Sequence, residues 1–216
     1  RIAAIESHMS KHAYKTAFIA GLGYDTNFNN ITDASSYDIN VGGISVPTSS
    51  GDKKDSFFYD GGLVFNHLYS FRQDFALRSS ATLYHQNYER DSDQEISLIS
   101  LSTAPVLQIE NMNLMIKLGY DYIFYGGDKY QNSLYLMPRI SMPLSKKLLY
   151  SGSLKIAKED FFDAYDNKDA MAYTLRNKVT MQTKEYGVFG FELLLATQKR
   201  ERGSDPNVAH DSVAFN

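Results

Sequence analysis

The chain has no cysteine and no tryptophan, only 5 prolines in 216 residues, and no apolar run long enough for a helical membrane span. Each absence excludes a class. Without cysteine there is neither a disulfide framework nor a thiolate metal site, a composition that suits passage through an oxidising periplasm. Without about 20 consecutive apolar residues there is no transmembrane helix, although strands that alternate can cross a bilayer at low mean hydropathy. A basic excess is also missing. The 22 Lys and Arg stand against 25 Asp and Glu, net charge −3, so no broad surface for nucleic acid is expected. No signal peptide is visible and the chain starts at Arg1, so a fragment of a longer protein is expected.

Recognisable chemistry is equally scarce. Gly21-x-Gly23 lacks the third glycine and the following helix of a dinucleotide loop. His8, His12, His67, His85 and His210 are scattered, without metal-ligand spacing. Asp91, Asp93 and Glu95 alternate in "RDSDQE" and offer a candidate calcium loop. They lack the glycine turn and closing glutamate of an EF-hand, so a solvated acidic loop is the plainer reading. The chain is read as non-enzymatic, with no cofactor and no metal.

Sustained helical periodicity is nearly absent too; only "RIAAIESHMSKH" permits a short helix, with Ile2 and Ile5 on one face. What fills the chain is period-two alternation rich in its 16 Tyr and 13 Phe. Strands are expected near 13–24, 57–70, 74–88, 95–109, 113–125, 132–143, 147–158, 171–183 and 187–199, with a tenth starting in "DSVAFN". Many exceed the ~5–6 residues usual in globular sheets and match the ~9–11 needed to cross a bilayer. Connections alternate between long and short: a loop at 25–56, then "FRQ"; "ERDSDQ", then "ENMN"; "GGDKYQ", then "LSKK". Short turns at one end and long loops at the other are the habit of outer-membrane barrels. The long loop 25–56 would then be extracellular.

The two parities of each strand differ sharply. One carries Phe18 and Leu22, Leu63 and Phe65, Ile116 and Leu118, Leu134 and Leu136, and Phe191, with no charged residue among them. The other carries Lys15, Asp60, Arg78, Lys117, Asp121, Arg139, Lys155, Arg176, Lys178 and Glu192. Strand 95–109 is partly apolar on both faces and does not declare its orientation. In a small soluble barrel the apolar parity would point inward; in a membrane barrel it would meet lipid and the charged set would line the lumen. Aromatic residues separate the two. Tyr14, Tyr69, Phe75, Tyr150 and Phe189 fall at the turn end, and Tyr24, Phe57, Tyr59, Tyr122, Phe124 and Tyr173 at the loop end. Such paired belts mark headgroup depth. His67 and His85 share the apolar parity at opposite ends. Pro105 and Pro138 disagree with mid-strand pairing and are expected at bulges or a weakly paired seam.

The fold expected is therefore all-β: an antiparallel up-and-down transmembrane β-barrel of about nine full strands plus part of a tenth. Residues 1–12 would be a linker or the end of a periplasmic helical region. Residues 13–216 would be barrel, incomplete because closed bacterial barrels have even strand counts.

"GLGYDTNFNN", following "RIAAIESHMSKHAYKTAFIAG", resembles the start of the barrel in surface lipoprotein assembly modifiers and related outer-membrane proteins with periplasmic tetratricopeptide repeats. Gly23, Tyr24, Asp25, Asn27 and Asn30 fit the strand-exit motif of that family, with Thr26 for serine and Phe28 for an aliphatic residue. The match spans about 20–30 residues, and the rest agrees in strand rhythm alone. The resemblance implies translocation or surface display of proteins, typically lipid-anchored ones, across the bacterial outer membrane. Its partners would be outer-membrane lipids and a secreted or lipid-anchored passenger. Physically, Asp and Asn end a ladder by bonding neighbouring backbone groups; a ligand or ion role for Asp25, Asn27 and Asn30 is the sharper alternative. The positive excess of the charged parity would favour an anionic solute or acidic passenger, but mixed lumen charges more often serve as hydrogen-bonded ladders that stiffen the wall. A diffusion porin and a soluble ligand-binding β-barrel are the competing functions.

Overall fold

The structure, a computed structural model, describes residues 11–26, 39–41, 44–46, 55–90, 92–162, 168–183, 187–200 and 212–215. Among them there is no α-helix. The strands are β1 (His12–Asp25), β2 (Ile39–Val41), β3 (Ile44–Val46), β4 (Ser56–Arg72), β5 (Phe75–Tyr88) and β6 (Ile96–Ile109). They continue with β7 (Met112–Tyr125), β8 (Asp128–Pro143), β9 (Leu148–Phe161), β10 (Ala170–Thr183), β11 (Gly187–Arg200) and β12 (Ser212–Phe215). Nine long strands and the short β12 form one antiparallel sheet in the order β1-β4-β5-β6-β7-β8-β9-β10-β11-β12. Every neighbour in that order is also a neighbour along the chain once the separate β2–β3 ribbon is set aside. The sheet is open, with β1 and β12 at its edges.

Strand positions follow the alternation, and turn chemistry explains most of the differences. "GGDKYQ" is not a six-residue loop. Gly126 and Gly127 have φ of 60° and 81°, the two successive positive values of a tight hairpin turn, and β8 begins directly after them at Asp128. The extra residue this creates is absorbed by a bulge between Ile123 and Phe124. A second bulge lies between Ser70 and Arg72. The prolines sit elsewhere. Pro105 pairs with Leu77 on one side, but the β6–β7 ladder skips from Thr103↔Leu118 to Val106↔Met115. Pro138 pairs with Ile116, while the β8–β9 ladder skips from Leu136↔Ile156 to Arg139↔Ser153. Register is the same before and after each gap. A proline lacks the N–H the ladder needs, and each one thins a seam without shifting it.

The two faces of this single layer are unlike in exposure. Phe18 is 84% and Leu22 89% accessible on the edge strand, and Leu101, Ile116, Leu118, Leu134 and Leu136 remain 43–54% accessible well inside the sheet. The other parity holds the buried residues: Ala104, Ile123, Tyr135, Ala157, Phe161 and Ala170, with Gln131 and Ser133. The sheet thus keeps large apolar side chains exposed on one parity and its buried residues on the other, where Lys15, Arg78, Arg139, Arg176 and Lys178 are nevertheless exposed. Pairing also settles β6. Ser100 pairs with Asp121 and Ser102 with Gly119, so Ile99 and Leu101 belong to the exposed apolar face.

Candidate functional site

The charged parity lies on one face of the sheet, and the register orders it. A row of paired residues crosses nine strands: Lys15, Asn66, Ser80, Ser102, Gly119, Tyr135, Ala157, Ala172 and Gln198. Most members are small or neutral. From β4 to β10, Asp60, Asp121 and Glu159 lie on the loop side of this row. Arg78, Lys117, Arg139, Lys155, Arg176 and Lys178 all lie on the turn side. In β11, Glu192 is the carboxylate on the turn side, opposite Lys178.

The loop half is packed. Ile123, Tyr130 and Phe161 form a buried apolar cluster, flanked by Ile96, Leu98 and Tyr125. The Tyr130 and Phe161 rings meet edge to face at 5.4 Å. The Tyr125 hydroxyl donates to Gln94. Two carboxylates of this half have partners: the Ser100 hydroxyl donates to Asp121 at 2.6 Å, and the Gln198 amide donates to Glu159 at 2.9 Å across β10. Ser133, the register partner of both Asp121 and Glu159, is buried with its hydroxyl unpartnered.

The turn half is open. A groove of about 370 Å³ is lined by Met137, Arg139, Ser151, Ser153, Lys155, Thr174, Arg176, Lys178 and Glu192, with Gly152 at its floor. Arg176 Nε approaches Glu192 Oε1 at 3.1 Å and Lys178 Nζ approaches Oε2 at 3.8 Å. Lys155 stands 3.9 Å from Asp121 and 4.5 Å above the Tyr135 ring, with Lys117 over the same ring at 5.7 Å. That ring lies across Gly119, where a Cβ would collide with it. Glycine there is what lets the tyrosine lie flat beneath two cations. Arg139 makes no ion pair among the described residues. Arg78 and Lys15 line a second, shallower hollow with Asn66 and His67.

The strand-exit residues divide. Gly23 lies under the Phe58 ring, which occupies the space a Cβ there would need. The Tyr24 hydroxyl donates to Asp55, and Arg90 Nη1 reaches the same carboxylate at 2.6 Å. This ties the loop ends of β1, β4 and β5 together. Asp55 is held below the ordinary carboxylate range, first by the Tyr24 hydrogen bond and then by Arg90. Asp25 pairs with Ser56 and accepts from Tyr88 at 3.5 Å. Asn27 and Asn30 lie outside the described residues, as do residues 1–10 and Asp91. Among the described residues no cluster of three metal-ligating side chains occurs.

One constellation escaped the sequence reading. At the turn end, His12 Nδ1 and His67 Nε2 lie 2.9 Å apart, their rings stacked at 5.2 Å. Tyr14 stacks on His67 at 4.7 Å, and Tyr69, Phe71 and Phe75 continue the ring-to-ring chain. Only the pairing His12↔Tyr69 and Tyr14↔His67 reveals it. His85 sits at the other end and meets Ser97 Oγ at 2.9 Å.

No protein-family model, no curated protein and no solved structure matches the chain.

Proposed function

We propose that the chain builds the wall of a bacterial outer-membrane β-barrel that takes part in translocating proteins, lipid-anchored ones among them, to the cell surface. One observation carries the membrane part: Leu101, Ile116, Leu118, Leu134 and Leu136 stay 43–54% exposed in mid-sheet, while the buried residues lie on the parity that carries the charges, the inverse of a soluble barrel whose apolar side chains form its core. Rings gathered at both ends of the exposed face, such as Tyr14, Tyr69 and Phe75 at one and Tyr24, Phe57 and Tyr122 at the other, support the same reading. In a bilayer, the apolar parity meets lipid and the charged parity lines the lumen. The passenger part rests on the resemblance of Gly23 to Asn30 to the strand exit of surface lipoprotein assembly modifiers.

The test has two readouts. The full chain, expressed with an export signal, is fractionated and exposed to protease on whole cells. Its recovery in the outer membrane with cleavage only in the loops is the expected result; recovery in the soluble fraction would sink the membrane reading and leave a soluble ligand-binding barrel. Whole-cell labelling of a co-expressed lipoprotein then reads display. Uptake of small sugars without any display would identify a diffusion porin instead.

A further inference from the structure

We infer that the turn half of the charged face is a binding track for acidic polypeptide segments in extended conformation. The inference rests on the translocation reading for its biological setting, and on the geometry for its chemistry. The groove itself carries Arg139, Lys155, Arg176 and Lys178 against the single carboxylate of Glu192, with the hydroxyls of Ser151, Ser153 and Thr174 between them. Lys117 and Arg78 extend the basic belt to β5. Asp121 touches only its upper margin, through Lys155.

Three features choose the ligand. The first is extent. From Arg78 on β5 to Arg176 on β10 the belt crosses five interstrand steps, about 24 Å at roughly 4.8 Å each, so a single carboxylate or phosphate engages one corner of it. A chain with repeated charges fits the whole. The second is spacing. Arg139 and Arg176 flank Ser153 in register, and Arg176 and Lys178 are two residues apart on one strand. Their separation of roughly 6.5–7 Å matches that between alternate side chains of an extended peptide. The third is what surrounds the cations. No aromatic ring lines the groove among the described residues, and the ring beneath Lys117 and Lys155, Tyr135, is only 6% exposed, so there is no platform for stacked bases. Away from the ladder gap at Pro138 the amides are committed to the sheet, which leaves side-chain charge as the main means of recognition. Such a track reads acidity and tolerates sequence.

Availability of the cations supports this. Arg176 and Lys178 keep side-chain exposures of 55% and 46% while both share Glu192. Arg139 has no ion-pair partner among the described residues to surrender. Across the central row, Asp121 and Glu159 repel the same ligand, so an acidic chain is confined to the turn half.

The experiment uses the full chain purified in detergent and fluorescein-labelled decaglutamate, followed by anisotropy, with decaserine and decalysine as controls. Binding of decaglutamate alone is expected, weakened by screening at about 0.5 M salt. The triple substitution Arg139→Gln, Arg176→Gln, Lys178→Gln should lower its affinity on the order of tenfold, while Arg72→Gln and Lys158→Gln leave it unchanged. Arg139→Gln alone breaks no ion pair among the described residues and keeps the test valid if the triple variant fails to fold. Decaglutamate binding no tighter than decaserine, or unaltered affinity in both groove variants, would overturn the inference. Equal affinity for inorganic phosphate would reduce the track to a simple anion site and overturn it as well. Fractionation of the same protein in cells reports separately: a soluble chain that binds decaglutamate refutes the membrane reading and leaves the track standing.

Discussion

The two halves of the charged face are made from the same strands, yet they are finished differently. In the loop half, Ile123, Tyr130 and Phe161 exclude water, and Asp121 and Glu159 are each met by a neutral donor, Ser100 or Gln198. In the turn half the cations outnumber their partners and stand in an open groove. Carboxylates met by donors around an apolar cluster stabilise a fold, even with the Ser133 hydroxyl left unpartnered among them. Unsatisfied charges of one sign do not; they repel one another until something of opposite sign arrives. The contrast separates the part of the sheet that holds shape from the part proposed to meet a ligand.

The strongest way to break this contrast is to empty the packed half. Phe161→Ala should cost about 3–5 kcal/mol in equilibrium urea unfolding, because its edge-to-face partner Tyr130 loses its neighbour. A cost as small as that of a surface substitution would mean that the loop half is not structural. Next in size is Gly119→Val. Its side chain claims the space of the Tyr135 ring, and displacing the ring should destabilise the chain by about 1–3 kcal/mol and loosen Lys117 and Lys155 together. Circular dichroism melts read the first effect and decaglutamate binding the second.

Glu192→Gln sharpens the other side. It frees Arg176 and Lys178 from their shared carboxylate, so stability should change by only about 0–1 kcal/mol while decaglutamate binds more tightly. Weaker binding would show that Glu192 organises the cations instead of masking them. The smallest effect lies at the loop rim. Asp55 has a folded-state carboxyl held below its ordinary range by Tyr24 and Arg90, so protonation favours the unfolded form. Its contribution is fully present above the ordinary carboxylate range and is lost as pH falls through the depressed value. Asp55→Asn should flatten that part of the pH–stability profile, and an unchanged profile would show that the tie carries no weight.

Much of this was legible before any coordinates. Alternation located nine long strands and sorted their faces, because a side-chain period of two leaves few choices of orientation. The charged set Lys15 to Glu192 came from the same arithmetic. Three things stayed hidden for physical reasons. The face of β6 is ambiguous because Ile96 and Leu98 point into the packed cluster while Ile99 and Leu101 face out, so both parities look apolar. The Gly126–Gly127 turn reads as a longer loop because Asp128, Lys129 and Gln131 are polar, although two glycines with positive φ close the hairpin. The ribbon β2–β3 sits inside a polar stretch whose few apolar residues give too short a pattern. The segregation of charge about the central row is written in the sequence, in the distance of each charge from its turn.

Pro105 and Pro138 open their ladder gaps on either side of the hairpin formed by β7 and β8. That hairpin is therefore a panel creased along both long edges, joined to β6 and β9 by incomplete stitching at mid-height. Sheets transmit bending through their hydrogen bonds, and two thinned seams concentrate it there. The panel carries Lys117 and Arg139, so bending the sheet along these creases would change the width of the groove without unpairing any strand from end to end.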